Sequence, residues 1–149
     1  VDRLELARPR FDIPDRDALN DVVLRTDPTS LVNLIQSLAN NAFTHGAKNV
    51  GVTTSVDLPF QPMLEVGVRP ESPVYVSIHD DGPGIDIGFL PRAFEKFEKQ
   101  SRSSGTGLGL YIARLMTDAL SGSILVTTSE NGTNVAVALP AGKSKGVAA

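Results

Sequence analysis

Asp80 and Asp81, followed by Gly82-Pro83-Gly84, close a run in which Val74, Val76 and Ile78 alternate. Alternation marks a strand and gives Asp80 the parity of its buried residues. A carboxylate on that side is costly unless hydrogen-bond donors meet it. The exocyclic amino group of a base is one such donor; the backbone amides of a glycine-rich turn are another. Gly82 and Gly84 would let a ligand ring approach the backbone, and Pro83 would stiffen the turn.

A second segment, Gly105-Thr106-Gly107-Leu108-Gly109-Leu110, leads into a helical pattern. Free amides and the helix dipole make such a junction attractive to phosphate. Two common nucleotide folds are excluded by its spacing. Leu110 stands where a dinucleotide fingerprint needs glycine, and no Gly-Lys-Ser/Thr follows as a P-loop requires.

The third feature is a polar stripe. On a wheel of about 100° per residue with Asn33 at zero, Ser37, Asn41 and Thr44 fall near 40°, 80° and 20°. Leu31, Leu34, Ile35, Leu38 and Ala42 fall at roughly 100° to 200°. A face meant for bulk water usually carries Lys and Glu. Carboxamides and hydroxyls suit a place where the direction of hydrogen bonds matters, whether a binding site or an inter-helix contact.

The elements that must position these groups are readable in outline. Asp27-Pro28 starts a helix and Gly46 stops it, giving a helix over about residues 28–45. Before it, two short extended pieces lie within Val1–Thr26. After it, strands are expected around Val50–Thr54, Leu64–Val68 and Val74–Ile78, and the Gln100–Gly105 stretch reads as a mobile loop. From Gly107 to Gly122 a helix carries Leu108, Ile112, Leu115, Met116 and Ala119 at helical spacing. In the last hairpin Ile124, Val126 and Thr128 face Val135, Val137 and Leu139 across an Asn131-Gly132 turn. That turn also explains Asn131-Gly132-Thr133 better than a glycosylation sequon does. Residues 1–140 are expected to form the domain and 141–149 a frayed tail.

Composition narrows the classes. In 149 residues, 14 Lys+Arg against 17 Asp+Glu leave a formal charge of −3, which argues against nucleic acid as a partner, since that needs a basic stripe. With no cysteine and two distant histidines, disulfide, thiolate and zinc chemistry drop out. A content of 41% hydrophobic and 21% charged residues is that of a globular chain, and its length suits one domain. The longest uncharged stretch, Pro28–Ala47, is broken by Asn33, Gln36, Asn40 and Asn41, so it does not suit a membrane span. Val1–Arg10 has neither an initiator Met nor an apolar signal core and reads as the start of a fragment of a longer chain.

Taken in order, Asn41 on a helix, Asp80-x-Gly82-x-Gly84 after a strand, Phe94-Glu95-Lys96-Phe97 and the glycine segment 105–110 resemble the ATP-binding domain of sensor histidine kinases. That domain belongs to the GHKL superfamily, with DNA gyrase, the Hsp90 chaperones and MutL. The four blocks are similar to its N, G1, F and G2 boxes and span Leu31 to Leu110. The resemblance implies an α+β Bergerat fold: a two-layer sandwich of a mixed sheet with helices on one face, and a lid between the G1 and G2 boxes over ATP.

The same resemblance implies ATP and Mg2+ as cofactors. Asn41 would ligate the magnesium that bridges the phosphates, an oxygen ligand for a hard cation. Asp80 would take the adenine amino group, with Gly82, Gly84 and Ile85 shaping the base pocket. Gly105, Thr106, Gly107, Leu108, Gly109 and Leu110 would follow the triphosphate. Phe94 and Phe97 would anchor the lid. Lys99 matches a position where such kinases often carry Arg near the γ-phosphate, and Arg102 is a second candidate for that charge; Glu95, Lys96 and Glu98 read as a solvated face. His45 stands where Tyr or His is usual, near the phosphates.

Two positions depart from the pattern. Ser37 replaces the Asn of the kinases and the water-activating Glu of the ATP-hydrolysing members, and Thr44 replaces a phosphate-binding Lys. Without the Glu no general base is placed for water. Asn41-Ala42-Phe43-Thr44-His45-Gly46 also resembles the helix ending of anti-sigma-factor serine kinases. The F-box phenylalanines, the Gly-Leu-Gly pattern and the missing Glu at 37 argue against that reading; a nucleotide-sensing module is the third. His45 and His79 both lie inside the nucleotide domain, so the phosphate acceptor is expected on a separate dimerisation domain of the same protein, with relay to a response regulator. The domain alone is expected to be a monomer within a homodimeric parent and to be cytoplasmic, whether or not the parent is anchored in the inner membrane.

Overall fold

The computed structural model describes residues 10–12, 22–24, 27–96 and 109–143. Helix α1 runs Pro28–Thr44. It begins as its sequence dictates: the Asp27 carboxylate accepts from the Ser30 amide and hydroxyl, both at 2.9 Å, and Pro28 opens the first turn. It ends where the His45 amide reaches the Asn41 carbonyl and Gly46 takes φ +106°. Its apolar stripe buries Leu34, Ile35, Leu38 and Ala39, with Leu31 and Ala42 packed at the margin.

Seven strands form the sheet: β1 (Arg10–Asp12), β2 (Val22–Leu24), β3 (Val50–Ser55), β4 (Leu64–Val66), β5 (Pro73–Asp80), β6 (Ser123–Ser129) and β7 (Gly132–Lys143). The order is β1-β3-β5-β7-β6-β4, with β2 paired to the end of β7. Only the β1–β3 ladder is parallel among the described pairs, so the sheet is mixed. A 3-10 turn covers Leu90–Arg92, and helix α2 covers Gly109–Ala119.

Both helices lie on one face, α1 over β3 and β5 and α2 over β6, and they pack against each other. Register explains which side chains they meet: Val52, Ile78, Val135 and Val126 form one cross-strand row, and Val76, Val137 and Ile124 the next. Leu34 is fully buried between these layers, and truncating it to Ala would cost about 2–5 kcal/mol. On the opposite face Tyr75, Leu125, Ala136 and Ala138 cluster beneath Phe60 of the β3–β4 loop. The result is the expected two-layer α+β sandwich.

Three local expectations are corrected. In α2 the buried positions are Ala113 and Thr117, while Ile112 and Leu115 are 43% and 49% exposed; Thr117 packs beside Gly122, just before β6. In the hairpin Ser129 pairs with Gly132, so Glu130-Asn131 makes the turn and Gly132 already belongs to β7. Parity is unchanged, so each side chain keeps its face. The strand also continues through Ala141–Lys143, because β2 pairs with it there; residues 144–149 lie outside the described part.

Candidate functional site

The last turn of α1 touches both glycine-bearing segments. A Cβ added to Gly109, the first residue of α2, would stand 2.5 Å from Asn41 Oδ1, so the bare glycine is what lets the carboxamide lie against the start of the helix. Four residues on, His45 is close enough to Asp80 for the two to interact electrostatically. Gly46 abuts Pro83, and the backbone of Ala47 lies against Gly82. One helix end therefore joins the strand-end carboxylate to the α2 N-terminus.

Asp80 sits opposite Val50 of β3 and Thr133 of β7 on the helix side of the sheet, half-buried. Its Oδ1 accepts from the Gly82 amide at 2.8 Å and the Thr133 amide at 3.3 Å. Among the described residues Oδ2 accepts none, which leaves it for an outside donor. The backbone-amide reading is thus realised on Oδ1. Burial pushes the Asp80 carboxyl up and the two amide bonds restrain the rise. Burial also pulls His45 below the ordinary imidazole value, against the opposing pull of Asp80, so its ring is neutral near pH 7.

The glycines of the turn are held by their neighbours. Gly84 has φ +82°, and a Cβ there would run into the Ser129 carbonyl of β6. The Ile85 amide donates to Thr128 Oγ1 at 2.8 Å, and that hydroxyl lies 2.8 Å from Thr133 Oγ1. A chain of bonds therefore ties Asp80 through Thr133 and Thr128 to Ile85. On the other side of the turn the Asp81 carboxylate accepts from the Lys48 amide at 2.8 Å, the Asn49 amide at 2.9 Å and Asn49 Nδ2 at 2.7 Å. These bonds, the Asn49 side chain first, lower its pKa to about 2.

The structure thus brings together Asn41, His45, Asp80, Gly82, Gly84 and Gly109. Ser37 lies one turn before Asn41 and is half-buried; Thr44 closes the helix and is exposed. Ile85 and Leu110 pack against the main core, so their side chains line its edge. Phe94 is buried in that core. Phe97, Lys99, Arg102, Gly105, Thr106, Gly107 and Leu108 lie outside the described residues. Sequence reasoning missed Thr128 and Thr133, whose place beside Asp80 depends on strand register, and Asp81, whose partners are more than 30 residues away. The second aspartate beside Asp80 was the one local signal.

Among curated proteins, the signal transduction histidine-protein kinase AfsQ2 of Streptomyces coelicolor is 35% identical over 111 residues, covering 72% of this chain and 18% of that protein. The sensor histidine kinase WalK of Bacillus subtilis is 26% identical over 151 positions, covering 94% and 23%. The chain thus spans about a fifth of the length of these relatives. The mycobacterial sensor histidine kinase MprB superposes with a TM-score of 0.64 at 19% identity, covering 95% of this chain and 89% of that one. Full-length ShkA in complex with AMPPNP gives 0.67 at 22%, covering 90% and 25%. At these identities the superpositions show a shared fold. The family model of histidine kinase-, DNA gyrase B- and HSP90-like ATPases matches residues 26–143, and the chain belongs to that family.

Proposed function

We propose that this domain binds Mg-ATP and presents its γ-phosphate to a histidine on a separate dimerisation domain of the same protein, for relay to an aspartate of a response regulator. The observation that carries the reading is the α1 end: residues 41–47 contact both the Asp80–Gly84 turn and the first residue of α2. A base on Asp80 and phosphates at α2 would lie on either side of it. The curated relatives are named histidine kinases, and ShkA was solved in complex with AMPPNP.

In this reading Asp80 Oδ2 accepts the adenine amino group while Oδ1 keeps its two amide bonds. Gly82 and Gly84 let the ring approach. The α2 N-terminus, with Gly105–Leu108 leading into it, meets the triphosphate through its free amides. Bound magnesium would neutralise phosphate charge, and Asn41 Oδ1 is the hard oxygen ligand that this chain offers it. The fit is of the right kind, since magnesium keeps waters and substrate oxygens rather than filling a protein-only cage. Among the described residues no three His, Asp or Glu come together as such a cage. Ser37 and Thr44 border Asn41, and neutral His45 can share a hydrogen bond near the phosphates. Lys99, with Arg102 second, supplies positive charge toward the γ-phosphate on the strength of its sequence position alone. Ser37 holds the place of the water-activating Glu, which favours transfer over hydrolysis.

No helix among the described residues is long and apolar enough to cross a membrane. We place the domain in the cytoplasm, as a monomer by itself within a homodimeric parent. The test uses γ-labelled ATP with this chain and with the parent's histidine-bearing hairpin added in trans. Label on the hairpin and none on this chain alone is expected. Label on a serine of this chain, or steady phosphate release without the hairpin, would overturn the kinase reading.

A further inference from the structure

We propose that Asp81 is a positioning residue for the nucleotide site: by clamping the Lys48–Asn49 loop it fixes the end of α1, and with it Asn41, relative to Asp80. The inference rests on the reading that Asp80 receives the adenine amino group. Asp81 is exposed, so water could satisfy its oxygens. Instead Oδ1 takes the Lys48 and Asn49 amides, Oδ2 takes the Asn49 side chain, and the Asp81 amide donates back to the Asn49 carbonyl at 3.3 Å. Four bonds thus join two segments more than 30 residues apart. The loop so held is the connection from α1 to β3.

The consequence is geometric. Residues 45–47 precede the clamped pair and form the wall against which the turn lies: Ala47 against Gly82 and Gly46 against Pro83. Charged hydrogen bonds of this kind are short and directional. Asp80 is fixed to β7 through Thr133, and Asn41 is fixed to α1. Asp81 is the polar link between these two bodies on the loop side. The neighbouring carboxylates therefore divide the work, Asp80 facing the ligand and Asp81 setting the span from the base end to the phosphate end.

Asp81→Asn tests the clamp at constant size. Its carboxamide keeps one acceptor for the two amides and turns an NH2 group toward Asn49 Nδ2, donor against donor. Asn49→Asp alone sets two carboxylates face to face. The double variant restores one donor and one acceptor. Affinities for ATP and for inosine triphosphate, which lacks the amino group, are measured with magnesium by calorimetry alongside melting temperature. We expect each single variant to bind ATP about tenfold more weakly, with a smaller preference for ATP over inosine triphosphate. The double variant is expected to return most of both.

A merely structural role would lower the melting temperature and leave the preference alone. Wild-type preference in Asp81→Asn, or a double variant no better than the singles, overturns the inference. If Asp81→Asn fails to fold, Asn49→Ala, which removes only the Nδ2 bond, carries the test; it should weaken ATP about threefold and reduce the preference, and an unchanged preference overturns the inference. Wild-type protein that binds no ATP would defeat the nucleotide reading itself, and this inference with it. Tight wild-type binding with unaltered variants would defeat this inference alone.

Discussion

Gly109→Ala separates the site from the fold with one methyl group. The added Cβ would stand 2.5 Å from Asn41 Oδ1, where ordinary contact begins at 3.4 Å, so the oxygen must retreat by about 0.9 Å. The obstacle is the tip of a side chain, which can swing. Gly109 is the first residue of α2, a helical conformation that Ala adopts readily. Stability should therefore hold or rise slightly. If Asn41 Oδ1 ligates magnesium, the swing removes an interaction with a charged group, worth about 1.5–3 kcal/mol, or roughly ten- to hundredfold in affinity. Calorimetric titration with ATP, with magnesium and with chelator, reads the metal-dependent part, and thermal denaturation reads the fold. The expected result is an unchanged or higher melting temperature with most of the magnesium dependence gone. Full magnesium dependence in Gly109→Ala would refute the assignment of Asn41 to the metal. A large fall in melting temperature would show instead that the contact serves packing.

Gly84→Ala should behave in the opposite way: φ +82° and the Ser129 carbonyl leave no room for a methyl group, so unfolding in urea should show a loss of roughly 2–3 kcal/mol, and a loss under 1 would contradict the turn geometry. The two aspartates predict opposite acid slopes. Asp81's folded pKa of about 2 lies below the ordinary 3.8, so its contribution is complete above about pH 4 and disappears as pH falls toward 2. Asp80 is raised by burial, so its contribution is present in acid and lost as pH rises through its folded pKa. Urea midpoints between about pH 5 and pH 2 should fall less steeply in Asp81→Asn and more steeply in Asp80→Asn than in wild type; parallel curves would contradict the hydrogen-bond assignment.

What could be read from the sequence was whatever depends on near neighbours. Asp27-Pro28 and the stripe from Leu31 to Ala42 specify α1 almost to the residue, because caps and helical period act within a few positions. Val74, Val76 and Ile78 give β5 and the side on which Asp80 lies. Pairings across the chain were not legible. Thr133 faces Asp80 only because β7 runs beside β5, and Asp81 meets Asn49 only because β3 lies beyond it. The buried face of α2 is hidden for the same reason: hydrophobicity favours Ile112 and Leu115, whereas the tightly packed side carries Ala113 and Thr117. Polar contacts that fix a turn thus remain hidden until register is known, even where the residues that would meet a ligand are evident from type and spacing.

Nucleotide recognition in this domain turns on Asp80 Oδ2 as the acceptor of an amino group on the bound base. Calorimetric titration of wild type and Asp80→Asn with ATP in magnesium measures this directly. That role predicts saturable binding to wild type below millimolar nucleotide, and loss of at least about tenfold in the variant, whose NH2 would oppose that of adenine. No saturation with wild type, or equal affinity in the variant, would contradict it.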